Sequence, residues 1–343
     1  MRDFISEPRL NSYKNTLKLK CPEQILRAYY WNKALSASIY PVVQSLEVTL
    51  RNALNEAVKA HHAGKFGGDD WWFEHLNVDI QDAKIAAMSP KNKERWLKPS
   101  GKRKKQSWSE QQVLSAIRDL EKEGRSPVYH DDVIGRLTFG YWVGMLGKDY
   151  EDVTHKTRLW PNLLPHVFPN TPHKPRRLKL EKSFRRVKEL RNRFSHHEPV
   201  WKFYKEKPSG EPDYTQPVYG LNTSLELLSK AYEEMLMLIR WMSEDRYQSF
   251  IKSRLDVDFR KLCSHDGFYG FVYPSKIKNT AHEKGFCEVC ENKPNRRCSW
   301  HHSKQSVLLG VRCQSTKHLN TFVGLGVIKY DDSDRQRRPA QTA

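Results

Sequence analysis

Long apolar runs, cysteine and patterned glycine are all scarce in this sequence, and each shortage removes a class of protein. No stretch approaches the roughly 18 consecutive apolar residues of a membrane span, and mean hydropathy is −0.78. Six cysteines among 343 residues are too few for a disulfide framework, so a reduced, cytoplasmic chain with no membrane partner is the expectation. The opening MRDFISEPRLNSYKN lacks the apolar core of a secretory signal. Gly64-Lys-Phe-Gly67-Gly68 fits neither a phosphate-binding loop nor a dinucleotide fingerprint. A nucleophile elbow, a helix-turn-helix and an internal repeat are likewise missing.

Positive charge is abundant instead. Lys and Arg total 59 against 40 Asp and Glu, a net charge of +19, with a pI near 9.6. Such a surplus points to a polyanionic partner, nucleic acid first and an anionic membrane surface second. With 38% hydrophobic residues and ten tryptophans, the chain can bury a substantial core.

Residues 21–256 read as an all-α domain, preceded by an arm over 1–20. Pro41 stands where a helix begins, with Val43, Leu46, Leu50, Leu54 and Ala57 following at helical spacing. Ser107-Trp-Ser-Glu110 and Thr223-Ser-Leu-Glu226 read as capping boxes. A further helix starts after Pro175 and stops before Pro199. Residues 89–107 form a basic loop broken by Pro and Gly, and 202–220 a long surface excursion. From 257 to 343 helical periodicity fades into an irregular tail containing Cys and His, partly disordered at its end. There Cys287-x2-Cys290 and Cys298-x2-His301 offer four ligands for one structural zinc. Their seven-residue gap is shorter than in common zinc modules, which favours free thiols.

The segment richest in chemistry is Glu189-Leu-Arg-Asn-Arg-Phe-Ser-His-His-Glu-Pro199. Asn192 and His196, four apart, share a helix face with Arg185, Lys188 and Glu189. Arg191 lies about 140° round and must reach back. Pro199 places His196 in the last turn, where a helix C-terminus favours a cation. A histidine beside guanidinium and amide donors suits general acid–base work on a phosphodiester. Glu47 and Arg51 form an i,i+4 pair, and Arg-Asn recurs at 51–52 and 191–192. The residue five after Arg51 is Glu56, so this is no second copy of the motif. Lys102, Arg103, Lys104 and Lys105, and the basic run from Lys174 to Arg193, offer an RNA track. Trp96 and Trp108 flank the first run, where tryptophans either stack bases or fold down as core anchors.

R-N-x-x-x-H followed by H-E-P resembles the signature of HEPN-type ribonucleases, specifically of the Abi-like abortive-infection family. Trp31–Leu35, Leu46–Leu54, Leu137–Val143 and Phe168-Pro169 resemble the same family, in its order. The resemblance implies a HEPN-like helical bundle acting as a metal-independent endoribonuclease toxin of phage defence, with no cofactor for catalysis. It further implies a homodimer with a composite cleft and an RNA or protein antitoxin. Its catalytic residues carry over to Arg191, Asn192 and His196, with Glu47, Arg51, Asn52 and His197 in support. The alternative is a non-catalytic RNA-binding or scaffold protein of a defence system, which would not need the histidine.

Overall fold

The computed structural model describes residues 5–62, 70–155, 157–173, 176–207 and 212–274. All but Pro274 belong to the first of two units, Met1–Tyr273 and Pro274–Ala343. The zinc candidates Cys287, Cys290, Cys298 and His301 and the glycines at 64, 67 and 68 lie outside the described residues.

One helix dictates the arrangement. After α1 (Glu7–Thr16), α2 spans Pro22–His62, 41 residues or roughly 60 Å. Leu35, Ile39, Val42, Val43, Leu46, Leu50, Leu54 and Val58 are buried along it. Around it lie α3 (Trp72–Ala86), α4 (Pro90–Trp96), α5 (Trp108–Lys122), α6 (His130–Arg136), α7 (Phe139–Gly144), α8 (Leu164–Val167) and α9 (Arg177–Ser195). The hairpin β1 (Tyr204–Glu206) and β2 (Pro212–Pro217) follows, then α10 (Leu221–Met242), α11 (Glu244–Lys252), α12 (Val257–Leu262) and α13 (His265–Val272). Of these, α1, α7, α8, α9, α10, α12 and α13 pack against α2. Among the described residues the fold is all-α apart from the hairpin, and no helix is long and apolar enough to cross a membrane.

Four local expectations change. Pro41 lies inside α2 rather than at a helix start. It removes one backbone donor, a cost of about 3 kcal/mol, but buried residues on both sides of it hold the helix together. Thr223 sits within α10, because Gly220, at φ 100°, opens the helix earlier. The 202–220 excursion folds into an antiparallel pair with Tyr204 opposite Pro217. Residues 257–272, grouped by composition with the tail, form α12 and α13, because Phe259, Phe268 and Val272 are buried. The Ser107 capping box forms as expected: Ser107 N–H donates to Glu110 Oε2 at 2.6 Å, and Glu110 N–H donates to Ser107 Oγ at 3.3 Å.

A buried polar knot joins α3 to the segment beside α9. Asn77, 2% exposed, donates to Tyr141 Oη at 2.9 Å and accepts from Tyr150 Oη at 2.7 Å. Burial pushes both phenols up, Tyr150 to about 12, so both stay neutral. Asn77→Ala strands two buried hydroxyls and should cost about 2–4 kcal/mol, read from the urea midpoint at unchanged m. Tyr141→Phe should cost clearly less.

Candidate active site

The helix carrying the Arg-Asn…His run is amphipathic and basic. Leu180, Phe184, Val187 and Leu190 of α9 face the core. Its start is fixed by buried Arg177, which pairs with Glu151 at 2.9 Å and with Glu181. Its middle is fixed by Ser183 Oγ, which donates to Glu234 of α10 at 2.6 Å.

The C-terminal end is built as a tight reversal. His196 is the C-cap, one position beyond the last turn, with its N–H donated to the Asn192 carbonyl at 2.9 Å. His197 N–H donates to the Phe194 carbonyl at 3.1 Å, and Glu198 N–H to the Arg193 carbonyl at 2.7 Å. Those two bonds make a Schellman motif, whose pivotal residue takes left-handed geometry. Here that residue is His197, at φ 58°, where glycine would meet no steric penalty. Asn32 of α2, 4% exposed, grips the chain just beyond. Its Oδ1 accepts from Val200 N–H at 3.0 Å, and its amide donates to the Glu198 carbonyl at 3.5 Å. Arg9 donates to the His197 carbonyl at 3.1 Å. Val200 and Trp201 then enter the core fully buried, which leaves His196 and His197 exposed on a fixed turn.

Glu47 of α2 lies within electrostatic reach of Arg51 on its own helix and of Arg191 on α9. Burial pushes the Glu47 carboxyl above its usual range, against the pull of Arg191, Arg51 and the backbone N–H of Phe139. Arg51 pulls on Glu47 as the i,i+4 spacing predicts, and its Nε donates to Asn52 Oδ1 at 3.2 Å. Among the described residues, the Asn192 amide and the His196 ring have no hydrogen-bond partner within the protein. Arg193, between them in sequence, turns inward: it donates to the Lys202 carbonyl and lies 5.6 and 5.7 Å from the Phe203 and Tyr204 rings. Burial draws its pKa down.

The expected RNA track is largely engaged within the protein. Arg103 pairs with Asp82 at 3.2 Å and with buried Glu110 at 2.6 Å. Lys104 donates to the Glu94 carbonyl at 2.5 Å, and Lys105 lies 4.3 Å from the centre of the Trp96 ring. Arg185 forms two bonds to Glu181, at 3.0 and 2.7 Å. Lys102 is exposed and Lys188 half-buried. Trp108 leans on Tyr141, with ring centres 6.4 Å apart. No group of three or more His, Cys, Asp or Glu side chains among the described residues is arranged to hold a metal.

Sequence reasoning did not single out Asn32 as a clamp, although it lies in the Trp31–Leu35 segment. Arg9 carried no sequence signal, and the Phe139 N–H, although inside the Leu137–Val143 segment, was not singled out. The segments that resembled one family adjoin the α9 region: Asn32 bonds at 198–200, Glu47 lies within electrostatic reach of Arg191, α7 packs against α9, and Phe168 lies against Phe184 with ring centres 6.1 Å apart.

A family model described as Abi-like protein matches residues 2–202, more than half of the chain and the whole of this site. No curated protein and no solved structure gives a significant match.

Two stability measurements follow from this geometry. A carboxyl whose pKa is raised by folding favours the fold at low pH and loses that contribution as pH rises through the raised value. Glu47→Gln should therefore be at least as stable as wild type at pH 7, with the difference fading towards pH 4 in urea titrations. A large loss at pH 7 would mean that the charged form is the favoured one. His197→Gly should raise stability by about 0.5–1 kcal/mol by removing left-handed strain.

Proposed function

The chain belongs to the Abi-like family, a membership that points to a role in abortive infection, and from that premise we propose that it is an endoribonuclease toxin of phage defence. Arg191, Asn192 and His196 are its HEPN-type catalytic set, working without a metal or cofactor. One observation carries the reading: α2 clamps the turn after α9 through Asn32 and brings Glu47 within electrostatic reach of Arg191, so that an exposed histidine and this arginine are held at the same end of one helix.

The reaction is an internal transfer. The ribose 2′-oxygen attacks the neighbouring phosphorus as the bond from phosphorus to the 5′-oxygen breaks. The 2′-proton passes to a base, and the departing 5′-oxygen receives a proton. The products are a 2′,3′-cyclic phosphate and a 5′-hydroxyl, and DNA, lacking the 2′-hydroxyl, is spared. His196 moves protons, Arg191 neutralises charge gathering on the phosphorane oxygens, and Asn192 orients the phosphate or ribose. Glu47 and Arg51 position Arg191. A single histidine serves one of the two transfers, so the active unit is a homodimer, with His196 as base in one copy and as acid in the other. An RNA or protein antitoxin keeps the enzyme silent in its host.

Purified protein incubated with total RNA in EDTA should yield cyclic-phosphate and 5′-hydroxyl ends. His196→Ala should cut cleavage by roughly 10²- to 10⁴-fold, and Arg191→Ala should abolish toxicity. Near-wild-type cleavage by His196→Ala would remove the assignment, and RNA binding without cleavage by wild type would make the protein a scaffold. Excess His196→Ala chain mixed with wild type should depress activity per wild-type chain. Strict proportionality with a monomeric mass would exclude the composite site.

A further inference from the structure

The face of α2 leading to this site carries aromatic side chains that the core does not take. Tyr30, Lys33, Ala37, Tyr40 and Gln44 are all exposed, and their 3-4-3-4 spacing draws one stripe along about 20 Å of helix. Tyr40 is 54% exposed, yet its ring is held. It stands edge-on to Phe194 at 6.3 Å and 79°, and Phe194 lies two residues before His196. Towards the other end, Lys33 Nζ lies 4.9 Å from the centre of the Tyr29 ring and 5.6 Å from that of Tyr30. The stripe thus combines aromatic surface with a cation and reaches, through Phe194, the end of α9 that carries the histidine.

We propose that this stripe is a subsite for single-stranded RNA, with a base stacked on Tyr40 and a phosphate held by Lys33. It rests on the ribonuclease reading and adds where a nucleotide flanking the cleaved bond binds. Every base has a π face, so a held, exposed tyrosine is a sequence-tolerant platform. Phe194 restrains the Tyr40 ring in advance, which reduces the ordering cost of binding. The surroundings are positive, with Arg51 and Arg191 beyond Tyr40 and +19 over the chain. A second copy of the chain also suits a 3-4-3-4 seam, but such a seam wants apolar residues. Lys33 and Gln44 interrupt this one, and two chains of the same high charge repel.

The test is fluorescence anisotropy of the full chain with a 2′-O-methylated oligoribonucleotide, whose capped 2′-oxygen cannot attack. Tyr40→Ala should weaken binding about tenfold without changing the salt slope, and Tyr40→Trp should restore it. Lys33→Ser should lower the log–log salt slope by about 0.7. An abasic strand of equal length should bind wild type and Tyr40→Ala alike, because only stacking is lost. Undiminished binding of the base-bearing strand by Tyr40→Ala overturns the subsite and leaves the ribonuclease reading standing. A wild-type chain that binds neither the methylated nor an unmodified strand overturns that reading and the subsite with it. A mass that halves in sedimentation with Tyr40→Ala makes the stripe a seam between copies and also overturns the subsite.

Discussion

Burial of α2 is the constraint on which the other elements depend. An isolated helix gains little in water, and one of 41 residues with a proline inside it holds because seven other helices cover it. Its length lets one rigid body reach several parts of the site. Asn32 holds the turn after α9, Tyr40 meets Phe194, and Glu47 lies within electrostatic reach of Arg191. These contacts climb α2 as they descend α9, which is the pattern of two helices packed in opposite directions. Rigid-element support of this kind is what a site needs to keep reacting groups in place.

The site carries local costs that the fold does not require. Glu47 is held where burial opposes its charge, and His197 takes a left-handed conformation that glycine would adopt without penalty. Unfavourable features of this sort gather where chemistry, not stability, sets the residue. Around them the anchoring is generous: Arg9 and Asn32 fix the turn, and Trp201 packs against Trp31 and Tyr13, with ring centres 6.2 and 5.2 Å away. The exposed His196 therefore projects from a turn with little freedom.

Net charge overstates the free cationic surface. Arg103, Arg177, Arg185 and Arg193 serve ion pairs, carbonyls or aromatic rings within the protein. Arg is suited to this, because its planar fork satisfies several acceptors at once. An intramolecular partner does not always remove a cation from use: Lys33 lies over two rings and stays exposed. The electrostatic field still favours polyanions, and cations such as Lys33, Lys102 and Lys188 remain at least partly exposed.

Local pattern sufficed for much of this protein. The all-helical class, the boundaries of α9 and the Ser107 cap were legible, because helical spacing and capping involve only neighbours a few residues apart. The residues proposed for chemistry were legible too, since Arg191, Asn192 and His196 lie within one short run. What the sequence could not decide depended on partners far along the chain. Pro41 reads locally as a helix start, and only burial from both sides makes it an interior residue. Arg103 reads as one of four equal cations until Glu110 draws it inward. Asn32 gains its role from an amide 168 residues away, and Tyr40 from a ring on α9. Periodicity reports which face of a helix is apolar, while tertiary packing decides what that face, and the polar residues beside it, will meet.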